Sequence, residues 1–273
     1  MRNALSALRL TLFLLGTFML IPVHMGIKTV SGSMVCARIW PRLVRFIFGI
    51  RVRFVGQPFD AANMRTAFLS NHVSYLDIII LASRLNASFV AKSEVASWPL
   101  FGFLARLQNT VFVDRRRTAS AASKEAIGDA LNNKKRNVII FPEGTSTDGR
   151  SVAPFKSALL DVFLDAGAGV RIQPVAIVLD AVDGRRPDEQ STRDLYAWWR
   201  PETTLVPHLF AFGRVWCTDL TVHFLEALET SRFSDRKVMA SVAHDMVCAV
   251  VEAGVKPPLS DVPVAQLDRA MVS

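Results

Sequence analysis

Short β-rich runs alternate with helical stretches from residue 51 onward, and this rhythm limits the possible folds most. Apolar strands are predicted at 66–72, 87–92, 110–115, 137–144, 170–180 and 219–228, and helices at 74–85, 99–108, 120–134, 157–167 and 235–254. The pattern predicts an α/β fold with a mostly parallel sheet flanked by helices. We assign this domain to residues 51–255 and a C-terminal tail to 256–273.

An uncharged stretch of eighteen residues, 10–27, precedes this domain and follows Arg2 and Arg9. Eighteen apolar residues are the lower limit for a membrane-spanning helix, and Pro22 and His24 also allow a re-entrant or interfacial anchor. A secretory signal peptide is a third interpretation, although no A-x-A cleavage site follows. We assign residues 1–50 to a membrane-anchoring helical segment followed by a basic amphipathic helix.

The basic helix carries Arg38, Arg42 and Arg45 at spacings of four and three residues, with apolar residues between them. Such a helix can lie among lipid headgroups, with its arginines on phosphates, or pack on the protein's own core. Basic residues next to an anchor favour the cytoplasmic side. We therefore expect a cell inner membrane protein with the domain of residues 51–255 on the cytoplasmic side.

The net charge of +8 suits an anionic partner, which could be a nucleic acid, a lipid surface or a phosphorylated substrate. Nucleic acid is disfavoured because the N-terminal arginines alternate with apolar residues and no known binding motif occurs. Cys36, Cys217 and Cys248 show no metal-ligand spacing, so we expect reduced thiols and no metal.

A polar, charged stretch at 183–204 interrupts the alternation. Long excursions of this kind inside compact domains are commonly functional. Tyr196, Trp198 and Trp199 predict an ordered flap, for which the membrane interface is one possible position.

The polar segment SNHVSYLD, residues 70–77, lies between two apolar runs. If the strand ends near Asn71 and Ser74 begins the next helix, Asp77 is placed to reach back in a capping box. His72 then lies in the turn, where a carboxylate on one imidazole nitrogen leaves the other free as a base. An ordinary helix cap without chemistry has the same pattern.

Two further motifs follow predicted strands. Glu143 and Gly144 in FPEGTSTDG lie where open α/β sheets bind ligands, although a simple Pro/Gly turn would look the same. Arg115 in VFVDRRR closes another strand and could bind a phosphate or carboxylate, or be part of a solvated basic run.

Together these motifs resemble those of the glycerolipid acyltransferase family of the lysophosphatidate acyltransferase type. Its N-H-x4-D motif matches Asn71, His72 and Asp77, its F-P-E-G-T motif matches 141–145, its second-motif arginine matches Arg115, and its proline-containing strand matches IQPVAI around Pro174.

The resemblance implies acyl transfer from an acyl-CoA or acyl carrier protein thioester to a lysolipid hydroxyl at a membrane, without a cofactor. It implies His72 as general base and Asp77 as its partner. The substrate-binding candidates are Asn71, Arg115, Glu143, Gly144, Thr145 and Lys156.

The residue after F-P-E-G-T determines which acceptor we expect. Members that recognise a glycerol phosphate commonly carry arginine there, whereas this chain has Ser146. Lysophosphatidic acid is the default acceptor, and Arg115, Arg150 or Lys156 could replace the missing cation. The zwitterionic lyso-ornithine lipid, which has no phosphate, is the alternative, since TTLVPHLF at 203–210 resembles that branch.

Two function classes outside acyl transfer are alternatives. A lipid hydrolase would need an activated serine or water, and no G-x-S-x-G elbow occurs in the sequence. A non-catalytic lipid-binding protein would need only the apolar segment and the positive charge.

Overall fold

The computed structural model describes residues 1–31, 35–60, 64–114, 121–132, 136–165 and 169–255. Arg115, the tail 256–273 and the side chain of Cys36 lie outside the described part. The helices are α1 (Arg2–Ser31), α2 (Val35–Ile47), α3 (Leu76–Ala82), α4 (Phe101–Leu107), α5 (Ala121–Asn132), α6 (Asp161–Asp165), α7 (Gln190–Arg193), α8 (Leu205–Gly213) and α9 (Arg236–Val255). The strands are β1 (Ile50–Val55), β2 (Arg65–Ser70), β3 (Ala87–Lys92), β4 (Val111–Val113), β5 (Asn137–Ile140), β6 (Val170–Val182), β7 (Thr218–Phe224) and β8 (Leu228–Glu229).

The strands form one sheet in the order β1-β7-β6-β2-β5-β3-β4, with β8 also paired to β6. Strand β6 pairs in antiparallel fashion with β7 and β8, and the other pairings in the described chain are parallel. The predicted α/β fold with a mostly parallel, helix-flanked sheet and an apolar N-terminal helix is confirmed.

Each face of the sheet is covered by a separate apolar core. Phe68 and Ile139 point into a core shared with α1, α2, α3 and α8, whereas Ala67, Leu69 and Val138 point into a core shared with α5, α6 and α9. Neighbouring residues of one strand thus belong to opposite cores, as the two-residue period of a strand requires. Burial on both faces explains the nearly continuous apolar runs in the sequence.

The sequence did not predict strand β1, which continues directly from the basic segment. Its burial alternates, with Ile50 inside and Arg51 and Arg53 toward the open side. There Arg51 meets Asp219 of the parallel strand β7 at 2.5 Å, and Arg53 donates to Thr221 at 3.1 Å. The cross-strand partners lie far along the chain, so the segment resembled a continuation of the basic helix.

Helix α1 packs lengthwise against the α/β domain. Its buried side chains, at helical spacing, are Ser6, Arg9, Phe13, Thr17 and His24. Its other side exposes large apolar side chains, namely Leu8, Leu12, Leu14, Leu15, Phe18, Met19, Val23 and Met25. Two described helices, Arg2–Val30 and Arg236–Val255, are long and apolar enough to cross a membrane by length and composition. The division between segments at residue 50 stays a prediction.

Helix α2 turns its apolar face toward the protein, with Trp40 and Val44 buried. Arg42 donates to the Ser83 carbonyl at 3.1 Å and Arg45 to the Ser83 hydroxyl at 2.8 Å. The C-terminal end of α3 has unpaired carbonyls and a negative dipole that attract such cations. Packing of α2 on the protein's own core is therefore observed. Because Arg38 and Arg42 are exposed, a position of this helix among lipid headgroups stays a prediction.

Arg9 fastens α1 to the chain that follows α8. Its guanidinium donates to the carbonyls of Gly213, Val215 and Trp216, the last at 3.0 Å. Gly49 allows this approach, because a Cβ there would lie 2.4 Å from the Trp216 oxygen. The buried charge thus satisfies several carbonyls at once.

Arg9→Leu should lower the free energy of unfolding by roughly 2 kcal/mol or more, because carbonyls bonded to a charged donor lose their partner. Arg2→Leu is the matched control, since Arg2 is mostly exposed and forms only a surface ion pair with Asp183. Denaturant unfolding of the detergent-solubilised protein measures both. An equal effect of the two substitutions would contradict the anchoring role of Arg9.

Candidate active site

Two loops carry the motif residues at one edge of the sheet. Strands β2 and β5 are parallel neighbours, with Leu69 opposite Ile140, so they end side by side. The first motif loop, residues 71–74, follows β2, and the second motif loop, residues 141–149, follows β5. The Thr147 amide donates to the His72 carbonyl at 2.9 Å and ties the loops together.

His72 and Asp77 form a hydrogen-bonded pair. Strand β2 ends at Ser70 and α3 begins at Leu76, which leaves His72 in the turn between them. Its Nδ1 donates to Asp77 Oδ2 at 2.8 Å. A carboxylate accepts only, so the proton lies on Nδ1 and Nε2 is the nitrogen that can accept one. The His72 side chain is 19% exposed and stacks on Phe141 with 4.1 Å between ring centroids.

The Asp77 carboxylate is fully buried and accepts three hydrogen bonds besides that of His72. The amides of Val73 and Ser74 donate to Oδ2 at 2.7 and 2.9 Å. The hydroxyl of Tyr196, also fully buried, donates to Oδ1 at 2.5 Å. The bond to the Ser74 amide is the backward reach that the capping-box pattern predicted.

Glu143 is 2% exposed and joins the loops through backbone contacts. Its Oε1 accepts the His72 amide at 2.6 Å and its Oε2 accepts the Ala153 amide at 2.8 Å. Burial raises the pKa of Glu143 to about 7, against the lowering effect of the two amides and His72. Both oxygens are thus engaged by backbone amides, one by that of His72 and the other by that of Ala153.

The other predicted binding residues differ in position. Asn71 is buried and exchanges two hydrogen bonds with the backbone of Ile177 on β6, at 2.7 and 3.0 Å. Gly144 adopts φ +72° and leaves room for the exposed Lys156, whose Nζ would lie 2.8 Å from a Cβ there. Thr145 is exposed at the tip of the second motif loop. These roles in substrate binding stay predictions.

The predicted flap contributes a segment to the site, and the sequence did not predict this contact. We call residues 196–198 the strap. The Trp198 amide donates to the Val73 carbonyl at 3.0 Å, and the Ser146 hydroxyl donates to the Trp198 carbonyl. The flap is ordered, as predicted. Tyr196 is in the core and so cannot lie at a membrane interface, whereas Trp199 is exposed and the interface position of the flap stays a prediction. The one available signal was the apolar YAWW within a charged stretch.

The arrangement offers a base held by a carboxylate and, beside it, the second motif loop, where the exposed Lys156 lies next to Gly144. Among the described residues no group of three or more His, Cys, Asp or Glu side chains could hold a metal ion. The hydroxyl of Ser146, the serine of the second motif loop, donates a hydrogen bond to the Trp198 carbonyl. The site can therefore take a proton from a bound hydroxyl or water at His72 Nε2.

Comparison with known proteins agrees with the motifs. The family model described as Acyltransferase matches residues 51–178. A lyso-ornithine lipid O-acyltransferase of Brucella abortus is 36% identical over 224 residues, which are 78% of this chain and 80% of the relative. A 1-acyl-sn-glycerol-3-phosphate acyltransferase of Neisseria gonorrhoeae is 34% identical over 72% of this chain and 73% of its own length.

A solved structure has the same fold. The crystal structure of the 1-acyl-sn-glycerophosphate acyltransferase of Thermotoga maritima superposes with a TM-score of 0.61 at 20% identity, covering 93% of this chain and 97% of the other. The resemblance read from the motifs is thus confirmed, and the chain belongs to the acyltransferase family and is an acyltransferase that acts on lysolipids.

Proposed function

We propose that the protein transfers a fatty acyl group from an acyl-CoA or acyl carrier protein thioester to a lysolipid hydroxyl, with His72 as general base. The contact between His72 Nδ1 and Asp77 Oδ2 supports this most directly. It fixes the tautomer with Nε2 unprotonated, and the carboxylate stabilises the imidazolium that forms during the reaction.

The chemistry then needs no protein nucleophile. The acceptor oxygen attacks the thioester carbonyl carbon while His72 Nε2 takes the hydroxyl proton. The carbon–oxygen ester bond forms, the carbon–sulfur bond breaks, and the proton passes from the imidazolium to the departing thiolate. The products are the acylated lipid and a free thiol. General-base catalysis of this kind contributes typically about 10² to 10⁴-fold.

For the acceptor we propose lyso-ornithine lipid. Ser146 occupies the position where relatives that bind glycerol phosphate commonly carry arginine, and its hydroxyl is bonded to the Trp198 carbonyl. A zwitterionic acceptor without a phosphate does not need that cation. Several relatives carry the name lyso-ornithine lipid O-acyltransferase, including those of Brucella abortus and Rhizobium meliloti.

Lysophosphatidic acid is the second candidate acceptor, and Lys156 favours it. The ammonium of Lys156 lies beside Gly144 in the second motif loop and is exposed, so it can meet an anionic headgroup. Arg150 is bonded to the Asp188 carbonyl at 2.5 Å, on another loop. Arg115 lies outside the described residues.

We also propose that α1 anchors the protein to the inner membrane by lying along the bilayer surface. Ser6 bonds the Phe210 carbonyl at 2.7 Å and His24 lies 3.4 Å from the Leu107 carbonyl, so both ends of the helix touch the α/β domain. These contacts are separated by eighteen residues, about 27 Å of helix. A helix held along that length cannot cross a bilayer without taking the domain with it, whereas its exposed apolar side can enter one leaflet.

His72→Ala should lower kcat/KM for acyl transfer by about 10² to 10⁴-fold, because the base is lost. His244→Ala is the matched control, since His244 is similarly exposed, at 21%, but lies on α9 beside Cys248. The assay offers lyso-ornithine lipid and lysophosphatidic acid separately, each with both thioester donors. Retained activity in His72→Ala would contradict the mechanism in which His72 is the general base.

Ser146→Arg should raise the ratio of kcat/KM for lysophosphatidic acid over that for lyso-ornithine lipid by about tenfold, since a guanidinium pairs with phosphate. Ser146→Ala is the control that removes the bond to Trp198 without adding a charge, and it should leave the ratio unchanged. If Ser146→Arg leaves the ratio at the wild-type value, residue 146 does not read phosphate.

The double variant Leu15→Glu/Phe18→Glu should reduce sedimentation with anionic phospholipid vesicles by about tenfold or more, because each apolar side chain buried in lipid contributes roughly 1.5–3 kcal/mol. Val238→Glu on α9 is the control, since Val238 is 54% exposed and Phe18 60%. If Val238→Glu releases the protein and the double variant does not, α9 rather than α1 contacts lipid.

A further inference from the structure

Tyr196 is an unexpected neighbour of the His72–Asp77 pair. It lies 119 residues beyond Asp77 in the sequence, is fully buried, and donates its hydroxyl to Asp77 Oδ1 at 2.5 Å. This is the carboxylate oxygen that His72 does not use, since His72 bonds Oδ2. The two side chains therefore hold the carboxylate from both oxygens.

The strap does not require this hydroxyl for its own attachment. Its backbone is fixed at Trp198 by the Val73 carbonyl and the Ser146 hydroxyl. The Tyr196 ring also packs edge-on against Phe212 in the core, with 6.3 Å between ring centroids. A phenylalanine would serve these packing contacts equally well, so the hydroxyl calls for a separate explanation.

We infer that Tyr196 is a positioning residue of the acyl-transfer site, which acts through Asp77 to set its orientation and its hold on the His72 proton. The inference rests on the proposed function. Burial, with the Asp77 charge second, raises the pKa of Tyr196 well above its usual value. The hydroxyl consequently stays a donor throughout the working pH range.

The direction of the effect follows from the titratable groups that face the pair. These are Glu143 from the second motif loop, Tyr196 from the strap and, near Tyr196, Tyr75 at the start of α3. Removing the Tyr196 hydroxyl leaves Oδ1 without that donor, so the buried carboxylate depends more on the imidazolium form of His72. The shared proton is then held more tightly and is lost at higher pH.

The test compares kcat and KM across pH for wild type, Tyr196→Phe and Tyr75→Phe. Tyr75 is a matched control, because its buried hydroxyl pairs with His208 Nδ1 at 3.1 Å and not with Asp77. In Tyr196→Phe we expect kcat to fall about tenfold, as for loss of one charge-assisted hydrogen bond, with the KM for the acceptor unchanged. We expect the acidic limb of the kcat profile to move to higher pH by about one unit, and only in this variant.

A second measurement leaves the Tyr196 hydroxyl in place. The chain contains two tyrosines, Tyr75 and Tyr196, so 3-fluorotyrosine incorporated into Tyr75→Phe labels residue 196 alone. The fluorine NMR shift of the free enzyme should titrate with a midpoint at the acidic limb of the kcat/KM profile of that labelled protein, and the titration should vanish in the additional variant His72→Ala. The titration itself is observed without turnover, and it does not depend on how well Tyr196→Phe folds.

An unmoved acidic limb in Tyr196→Phe, an equal movement in Tyr75→Phe, or a flat fluorine shift between about pH 5 and 9 would each overturn the inference. Failure of the proposed function looks different. Wild-type protein would then transfer no acyl group to either lysolipid, while the fluorine titration would still report whether Tyr196 senses the pair.

Discussion

The carboxylate of Asp77 is the group on which the geometry of the site depends. It is fully buried, and its two oxygens accept hydrogen bonds from the ring of His72, the amides of Val73 and Ser74, and the hydroxyl of Tyr196. An unpaired charge in such a place would cost several kcal/mol. The turn, the helix start and the strap must therefore all be in place together before the carboxylate can be buried, which couples folding of this edge to assembly of the base.

The sequence predicted those parts of this arrangement that depend on residues close together in the chain. The spacing of His72 and Asp77 requires the histidine to lie in a turn, because residues five apart in one helix diverge by about 140°. The end of β2 at Ser70 meets that requirement. The periodicity of the apolar residues and the order of the motifs along the chain likewise predicted the sheet. Strand ends were less accurate, since β5 stops at Ile140 while the apolar run continues into the turn.

The contacts that could not be predicted join residues distant in the chain. Tyr196 reaches Asp77 across 119 positions, and Arg51 finds Asp219 across 168. Neither pairing leaves a periodic pattern in either segment, because each is set by which strands and loops become neighbours. For Glu143 the sequence predicted only part of the arrangement. Its position after β5 was predicted, but the hydrogen bonds that its two oxygens accept from backbone amides were not.

Ser146 links the question of substrate to the integrity of the pair. In the second motif loop its hydroxyl is bonded to the Trp198 carbonyl, two residues from the tyrosine that holds Asp77. An arginine at this position would be longer and lacks a hydroxyl, so the strap would have to be held in another way. A change of residue 146 therefore alters two things at once, the charge offered to the acceptor headgroup and the fastening of the strap.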